Sequence, residues 1–246
     1  PEEFRQFCSD FVPMARMEKM VWDNSETVQA QVQVSNYSDS DFVGEMTWSL
    51  RDTIGQLFAA GRLNDVNAPT GQLSPAGNIT IPLAGINEAT AMELVVSASN
   101  GRVNRYKLWV YPQQNQADVP AGVTFATTWD ASVEAALERG AKVIYAPSAG
   151  EIKDTVPGTF SGTFWNARMK HRQISKTMGL LIDPANPALA EFPTEFHSDF
   201  QWQDLVNRSF SVDIETLPLA LRPAVRTVDN FHMNRSLAML FEFKYK

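Results

Sequence analysis

Val28-Gln29-Ala30-Gln31-Val32-Gln33-Val34 alternates apolar and polar residues without a break. Successive side chains of a strand leave opposite faces, so this stretch predicts a strand with one buried and one solvated face. Outward from it the same period recurs. Residues 42–50 carry Val43, Met46, Trp48 and Leu50, and the polar Asn36, Ser38, Asp39 and Ser40 between the two stretches suit a hairpin. Residues 56–60, 78–84, 91–97 and 105–111 are further strand candidates, punctuated by Gly55, Gly61, Gly71, Gly77, Gly85 and Gly101. Short alternating strands, frequent turns and no helical stretch predict an antiparallel β-sandwich of immunoglobulin type over residues 1–114. Within it, residues 1–26 form a less regular lead-in carrying Met14, Met17, Met20, Val21 and Trp22. Trp48 and Trp109 are expected in the sandwich core, the alternative for either being a sugar-stacking platform.

The period changes after the polar run Gln113-Gln114-Asn115-Gln116-Ala117-Asp118, which reads as a linker. Residues 123–127 suit a strand. Residues 130–140 suit a helix, with Asp130 as N-cap, Val133, Ala136 and Leu137 as its buried stripe, Glu134 and Glu138 facing solvent, and Gly140 just past its end. Lys142-Val143-Ile144-Tyr145-Ala146 reads as a buried strand of a parallel sheet. A second helix is predicted over 164–175, and a third over 199–207 capped by Ser198 or Asp199. Strands are predicted over 179–183, 211–214, 224–229 and 237–243, the last being central-strand material. This alternation predicts an open α/β sheet over residues 119–246, truncated at its C-terminal end.

Composition narrows the function. In a chain of 246 residues, Asp and Glu number 28 against 21 Lys and Arg, a net charge of −7. Binding a polyanion by counterion release needs a basic surface, so nucleic acid is not an expected partner. No stretch approaches the roughly 20 consecutive apolar residues of a membrane span. The first residues hold nothing like a signal peptide, and the chain reads as a piece of a longer polypeptide. One cysteine, Cys8, allows no internal disulfide and no Cys-rich metal cage.

Catalytic patterns are sparse. Ser148, after the strand at 142–146, sits where a nucleophile would in an open α/β fold. Ala146 and Pro147 break the G-x-S-x-G pattern, however, and a strand-terminal loop is the plainer reading. The three histidines, His171, His197 and His232, lie on separate elements without metal-ligand spacing. Glu195, His197 and Asp199 alternate, which suits either a weak metal or substrate site or a hydrogen-bonded loop anchor. Neither G-x-G-x-x-G nor G-x-x-x-x-G-K occurs, so no nucleotide cofactor is expected, and no metal. Phe160, Phe164, Trp165, Phe192, Phe196, Phe200 and Trp202 crowd one region with His197 and Gln201. Aromatic faces flanked by hydrogen-bonding groups bind sugars, and they also seal cores and domain contacts. The sequons at Asn36, Asn78, Asn207 and Asn234 are short patterns that chance supplies.

Longer segments carry a resemblance. Pro1-Glu2-Glu3-Phe4-Arg5-Gln6-Phe7-Cys8, Asn36-Tyr37, Trp48-Ser49-Leu50 and Tyr106-Lys107-Leu108-Trp109-Val110-Tyr111-Pro112 resemble the region after the catalytic barrel of bacterial family 2 glycoside hydrolases of the β-galactosidase-like kind. Gly179-Leu180-Leu181-Ile182-Asp183-Pro184, Pro187-Ala188-Leu189, Phe192-Pro193-Thr194-Glu195-Phe196-His197-Ser198, Gln201-Trp202 and Val228-Asp229-Asn230-Phe231 are similar to the tail of the same proteins. The resemblance implies an immunoglobulin-like domain followed by an α/β domain similar to class I glutamine amidotransferases, of the flavodoxin-like kind and lacking their thiol nucleophile. It implies a non-catalytic accessory region, with the glutamate pair of a retaining hydrolase on a barrel of about 250 residues elsewhere in the parent. It also implies a secreted or periplasmic location, the parent's catalytic barrel as partner, and oligo- or polysaccharide as possible ligand. No residue of this chain is expected to be catalytic. Trp165, His197 and Trp202 are the expected sugar contacts. A stand-alone carbohydrate-binding or interaction module is the competing reading.

Overall fold

A computed structural model describes residues 2–113, 119–148, 150–161, 177–218, 220–231 and 233–245. The chain divides into two compact units, one of Pro1–Gln113 with Glu191–Pro193, the other of Gln114–Ala190 with Thr194–Lys246. Among the described residues no helix is long and apolar enough to cross a membrane.

The first unit opens with a short helix, α1 (Glu2–Phe7), and continues in strands β1 (Phe11–Met17), β2 (Val21–Asp23), β3 (Thr27–Asn36), β4 (Phe42–Asp52), β5 (Leu57–Ala68), β6 (Gln72–Pro82), β7 (Thr90–Ala98) and β8 (Val103–Tyr111). They form a three-stranded sheet, β1-β3-β6, and a five-stranded sheet, β2-β8-β7-β4-β5. All pairings are antiparallel except β2 with β8. In β3 the alternation expected from sequence is realised: Val28, Ala30, Val32 and Val34 are buried, while Gln29 and Gln31 face solvent. The buried row meets Met46, Leu50, Leu94, Val96, Leu108 and Val110 of the other sheet in one core. Each such side chain contributes about 1.5–3 kcal/mol on leaving water.

Several polar groups inside this sandwich are paired, while the Trp22 indole N–H and the Tyr111 hydroxyl are buried with no hydrogen-bond partner among the described residues. Asn36, fully buried, donates from Nδ2 to the carbonyls of Ala68 at 2.7 Å and Ser40 at 3.0 Å, and its Oδ1 accepts from the Ser38 hydroxyl at 2.7 Å. That amide pins the β3–β4 turn, so this sequon asparagine is a structural residue. Asn104 Nδ2 donates to the Pro13 carbonyl at 2.9 Å and to the Tyr106 hydroxyl at 3.0 Å. The same hydroxyl accepts from the Ala15 amide, riveting β8 to β1, and burial raises the Tyr106 phenol above its ordinary range. Trp48 lies half-buried against the core as expected. Trp109 does not: it is buried, but on the face of β8 opposite Leu108 and Val110, because neighbouring strand residues point to opposite sides.

The second unit departs further from expectation. Strand β9 (Val123–Ala126), helix α2 (Ala131–Glu138) and strand β10 (Lys142–Tyr145) form the expected strand–helix–strand unit, with β9 and β10 parallel. The expected burial of β10 is corrected: none of its residues is buried and Ile144 is 51% exposed, because this two-stranded sheet leaves one face open. Asp130 caps the helix by accepting from the Ser132 hydroxyl at 2.6 Å and from the amides of Val133 and Ser132, and these bonds, the hydroxyl's foremost, hold its carboxyl below the usual carboxylate range. Gly140 ends it at φ +80°, a left-handed conformation that glycine adopts without strain.

The remaining strands are β11 (Thr155–Pro157), β12 (Thr177–Ile182), β13 (Phe210–Asp213), β14 (Val225–Asp229) and β15 (Leu237–Leu240). They form one sheet in the order β11-β13-β15-β14-β12, antiparallel at every contact. The open α/β, amidotransferase-like domain expected from sequence is therefore corrected to a mainly antiparallel β structure carrying one strand–helix–strand unit. The physical reason is connection length and content. Parallel neighbours need crossovers of a dozen or more residues, usually helical. Helix α3 (Gln203–Asn207) is a single short turn after a 3-10 turn at Phe200–Trp202, and β15 inserts directly between β13 and β14. The helix predicted over 164–175 lies outside the described residues.

Candidate functional site

The site is built on three pieces of the second unit: β12, the segment 194–199 that runs beside it, and the stretch after β11. Segment 194–199 is held like an added strand. The Ile182 amide donates to the Phe196 carbonyl at 2.8 Å, Leu181 and His197 form a β-bridge, and the Leu180 amide donates to Ser198 Oγ at 3.2 Å. His197 Nε2 lies 2.9 Å from Glu195 Oε2, and its Nδ1 lies 3.3 Å from the Ser198 carbonyl. The Phe196 ring, 65% exposed, meets the imidazole edge-on at 4.7 Å. Asp199 is used differently: its Oδ1 accepts from the Phe200 amide at 2.8 Å and caps the 3-10 turn. The alternation of Glu195, His197 and Asp199 therefore yields a pair and a cap, a loop anchor. Among the described residues no three His, Cys, Asp or Glu side chains converge as a metal ion needs.

The stretch after β11 is set by a close approach. Gly158 donates its amide to the Ser209 carbonyl at 3.0 Å, and a Cβ placed there would lie 2.1 Å from the Val206 carbonyl oxygen. Only glycine lets the chain pass the end of α3 at that distance. Two residues on, the Phe160 amide donates to Asn207 Oδ1 at 2.9 Å, and the Phe160 and Phe200 rings sit 5.9 Å apart. The Thr177 hydroxyl accepts from the Thr159 amide at 3.1 Å. Between these pieces lies a cleft of ≈ 500 Å³ whose lining includes Phe160, Ser161, Thr177, Ser198, Phe200 and Gln203. No Asp or Glu lines it among the described residues. The lining sets two aromatic rings beside hydroxyls and a side-chain amide.

The residues singled out from sequence divide. His197 is at the segment just described, paired with Glu195. Trp202 is only 3% exposed and donates its indole N–H to Thr194 Oγ1 at 2.8 Å, so it fastens the segment's start and offers no ring face to a ligand. Trp165, His171 and His232 lie outside the described residues. Ser148 is exposed in the loop after β10, and among the described residues its hydroxyl bonds no histidine. Sequence reasoning named Phe160 and Phe200 only as members of an aromatic run and missed Ser161, Thr177 and Gln203. Nothing in their spacing marks them, since the fold alone brings them together.

Residues 124–246, half of the chain, match the family model described as Domain of unknown function (DUF8487). The chain belongs to that family. A second model, Domain of unknown function (DUF8488), matches residues 26–112. No curated protein matches the chain. Among solved structures it is similar to a β-glucosidase from Listeria innocua in complex with glucose, at 16% identity and a TM-score of 0.33, covering 42% of this chain and 16% of that one. It is also similar to a cycloisomaltooligosaccharide glucanotransferase from Paenibacillus sp., at 13% identity and a TM-score of 0.33, covering 48% and 16%. An alkylpurine DNA glycosylase from Pseudomonas fluorescens bound to DNA containing an abasic site analog is similar to the same extent, at 8% identity and a TM-score of 0.34, covering 42% and 31%. The chain thus spans about a sixth of the length of the β-glucosidase.

Proposed function

We propose that this chain is a non-catalytic accessory region of a glycoside hydrolase, and that it contacts sugar through the cleft of its second unit. The observation that carries the reading is the cleft itself, faced by Phe160 and Phe200, edged by Ser161, Ser198 and Gln203, and free of carboxylates among the described residues. A retaining hydrolase needs two carboxyl groups about 5–5.5 Å apart across the scissile bond, and the cleft offers none. The sequence resemblance to family 2 enzymes supports the same assignment. In this reading residues 1–114 are the immunoglobulin-like domain and 119–246 the second domain, the hydrolytic residues belong to a partner barrel, and the whole works outside the cytoplasm. Phe160 and Phe200 are the contact residues, with Ser161, Ser198 and Gln203 as hydrogen-bonding groups at the cleft's edge.

The test is a pair of measurements on the purified chain. Aryl glycosides should show no turnover, and detectable hydrolysis sinks the assignment. Calorimetric titration with cellobiose and maltose should show binding to at least one, weakened about fivefold or more in Phe200→Ala while the melting temperature holds. Binding that Phe200→Ala leaves untouched removes the cleft from the account.

A further inference from the structure

We infer that the cleft of the second unit selects a 2-acetamido sugar over a plain hexose, an inference that rests on the cleft being a sugar site. An acetamido group carries a carbonyl acceptor, an N–H donor and a methyl group on one short arm. A site for it therefore needs a donor, an acceptor and an apolar wall close together.

The described residues of the lining supply all three. Ser198 is the donor: its Oγ accepts from the Leu180 amide at 3.2 Å, and its own proton is bonded to no described residue. Gln203, exposed at the start of α3, is the acceptor, since its side-chain amide makes no hydrogen bond to a described residue. The wall is Met178, Leu180 and Val206. Leu180 and Val206 are only 4% and 5% exposed, so this part of the lining has little contact with bulk water. Met178 is present through a bulge. It is an extra residue on β12 between the pairs Thr177–Asp229 and Gly179–Val228, and a bulge re-aims the side chain it carries. Gly179 keeps Ser198 approachable, because a Cβ there would stand 3.6 Å from its Oγ.

A plain hexose fits this lining less well. Its C–H faces suit Phe160 and Phe200, but a hydroxyl turned toward Met178, Leu180 and Val206 loses water and finds no partner. An acetamido methyl in the same place gains from leaving water. Charged sugars are disfavoured too. A free amino sugar needs a carboxylate and a uronic acid needs a cation, and no charged side chain lines the cleft among the described residues.

The experiment titrates the whole chain by calorimetry with chitobiose and cellobiose, which share one linkage and differ by the acetamido groups, each to about 5 mM. Chitobiose should bind about tenfold more tightly. Gln203→Leu and Ser198→Ala should each bring chitobiose most of the way down to cellobiose while changing cellobiose itself by less than about twofold. Phe200→Ala should weaken both sugars, and the melting temperature of each variant controls for folding. Cellobiose binding as tightly as chitobiose overturns the inference and leaves the sugar-contact reading standing. A preference for chitobiose that survives both Gln203→Leu and Ser198→Ala, or chitobiose binding that Phe200→Ala leaves untouched, overturns it as well. Binding of neither disaccharide, nor of maltose, sinks the sugar-contact reading and this inference with it.

Discussion

The two units are both built of β-strands, yet they hold together by different means. In the first, two sheets close over Val28, Val32, Val34, Met46, Leu50, Leu94 and Val96, all nearly inaccessible to solvent. In the second, the sheet core contains Leu237, Ala238 and Val225 but also polar pairs. The Ser211 and Thr227 hydroxyls bond each other at 2.6 Å, and Asp229, its side chain 1% exposed, is clasped by Arg235. The Arg235 Nε lies 2.8 Å from Asp229 Oδ2, its Nη2 3.1 Å from Oδ1, and the amides of Arg235 and Asn230 donate to the same carboxylate. A hydrophobic core tolerates small shifts in geometry, whereas a buried carboxylate needs its partners in place. Both units hold buried neutral pairings, and the second differs in also burying a carboxylate that a guanidinium and two backbone amides must hold in place.

Substitutions sharpen that contrast. Leu50→Ala, at a fully buried position facing the opposite sheet, should cost about 2–5 kcal/mol through lost burial and the cavity left behind. Hydrogen exchange should show the loss in β3, β4 and β7 while β13 to β15 keep their protection; equal loss in both units breaks the comparison. Asp229→Asn should cost about 2–3 kcal/mol, since it strips the charge that Arg235 and two backbone amides address.

The pH dependence has a definite sign. The Arg235 hydrogen bond, with help from the two amides and against burial, holds the Asp229 carboxyl below its ordinary value. Its stabilisation is therefore complete above the unfolded value of about 3.9 and drains away as pH falls from there through the lower folded value. The second unit should lose protection below about pH 4, and Asp229→Asn should flatten that decline. Gly158→Ala makes the smallest change of the set, about 1–3 kcal/mol, by forcing the chain off the Val206 carbonyl. Sugar binding in the cleft should weaken with it because Phe160 is displaced.

Several elements of both units were legible in the sequence. The strict alternation of 28–34 marks β3, and Asp130 and Gly140 bracket α2 because a capping carboxylate and a left-handed glycine are local devices. The apolar run at Leu237 does mark the centre of its sheet. The failures have equally local causes. Gly61 reads as a turn, but it lies inside β5 opposite Trp48, whose ring sits where a Cβ would be, so β5 runs far past residue 60. Gly77 likewise reads as punctuation and instead sits next to a register shift inside β6. Pro13 disguises β1, which accommodates a proline because it is an edge strand.

Strand direction was legible for the parallel pair β9 and β10, joined by a helix, but not for the five-stranded sheet of the second unit. An apolar run looks alike in parallel and antiparallel sheets, and only the order of the strands distinguishes them. The cleft was hidden for a related reason. Phe160, Thr177 and Phe200 are brought together by Gly158, Asn207 and Ser198, none of which carries a pattern of its own.

The position of β15 bears on how the protein is made. In sequence it follows every other described strand of its sheet, yet in space it lies between β13 and β14 and joins them. On the ribosome, where the chain emerges at about 5–20 residues per second and leading domains fold first, the sandwich can be finished while the later sheet still exists as two separate halves with bare edges. Those edges are joined only when Leu237 and its neighbours arrive, and until then they are the part of the nascent chain most open to mispairing.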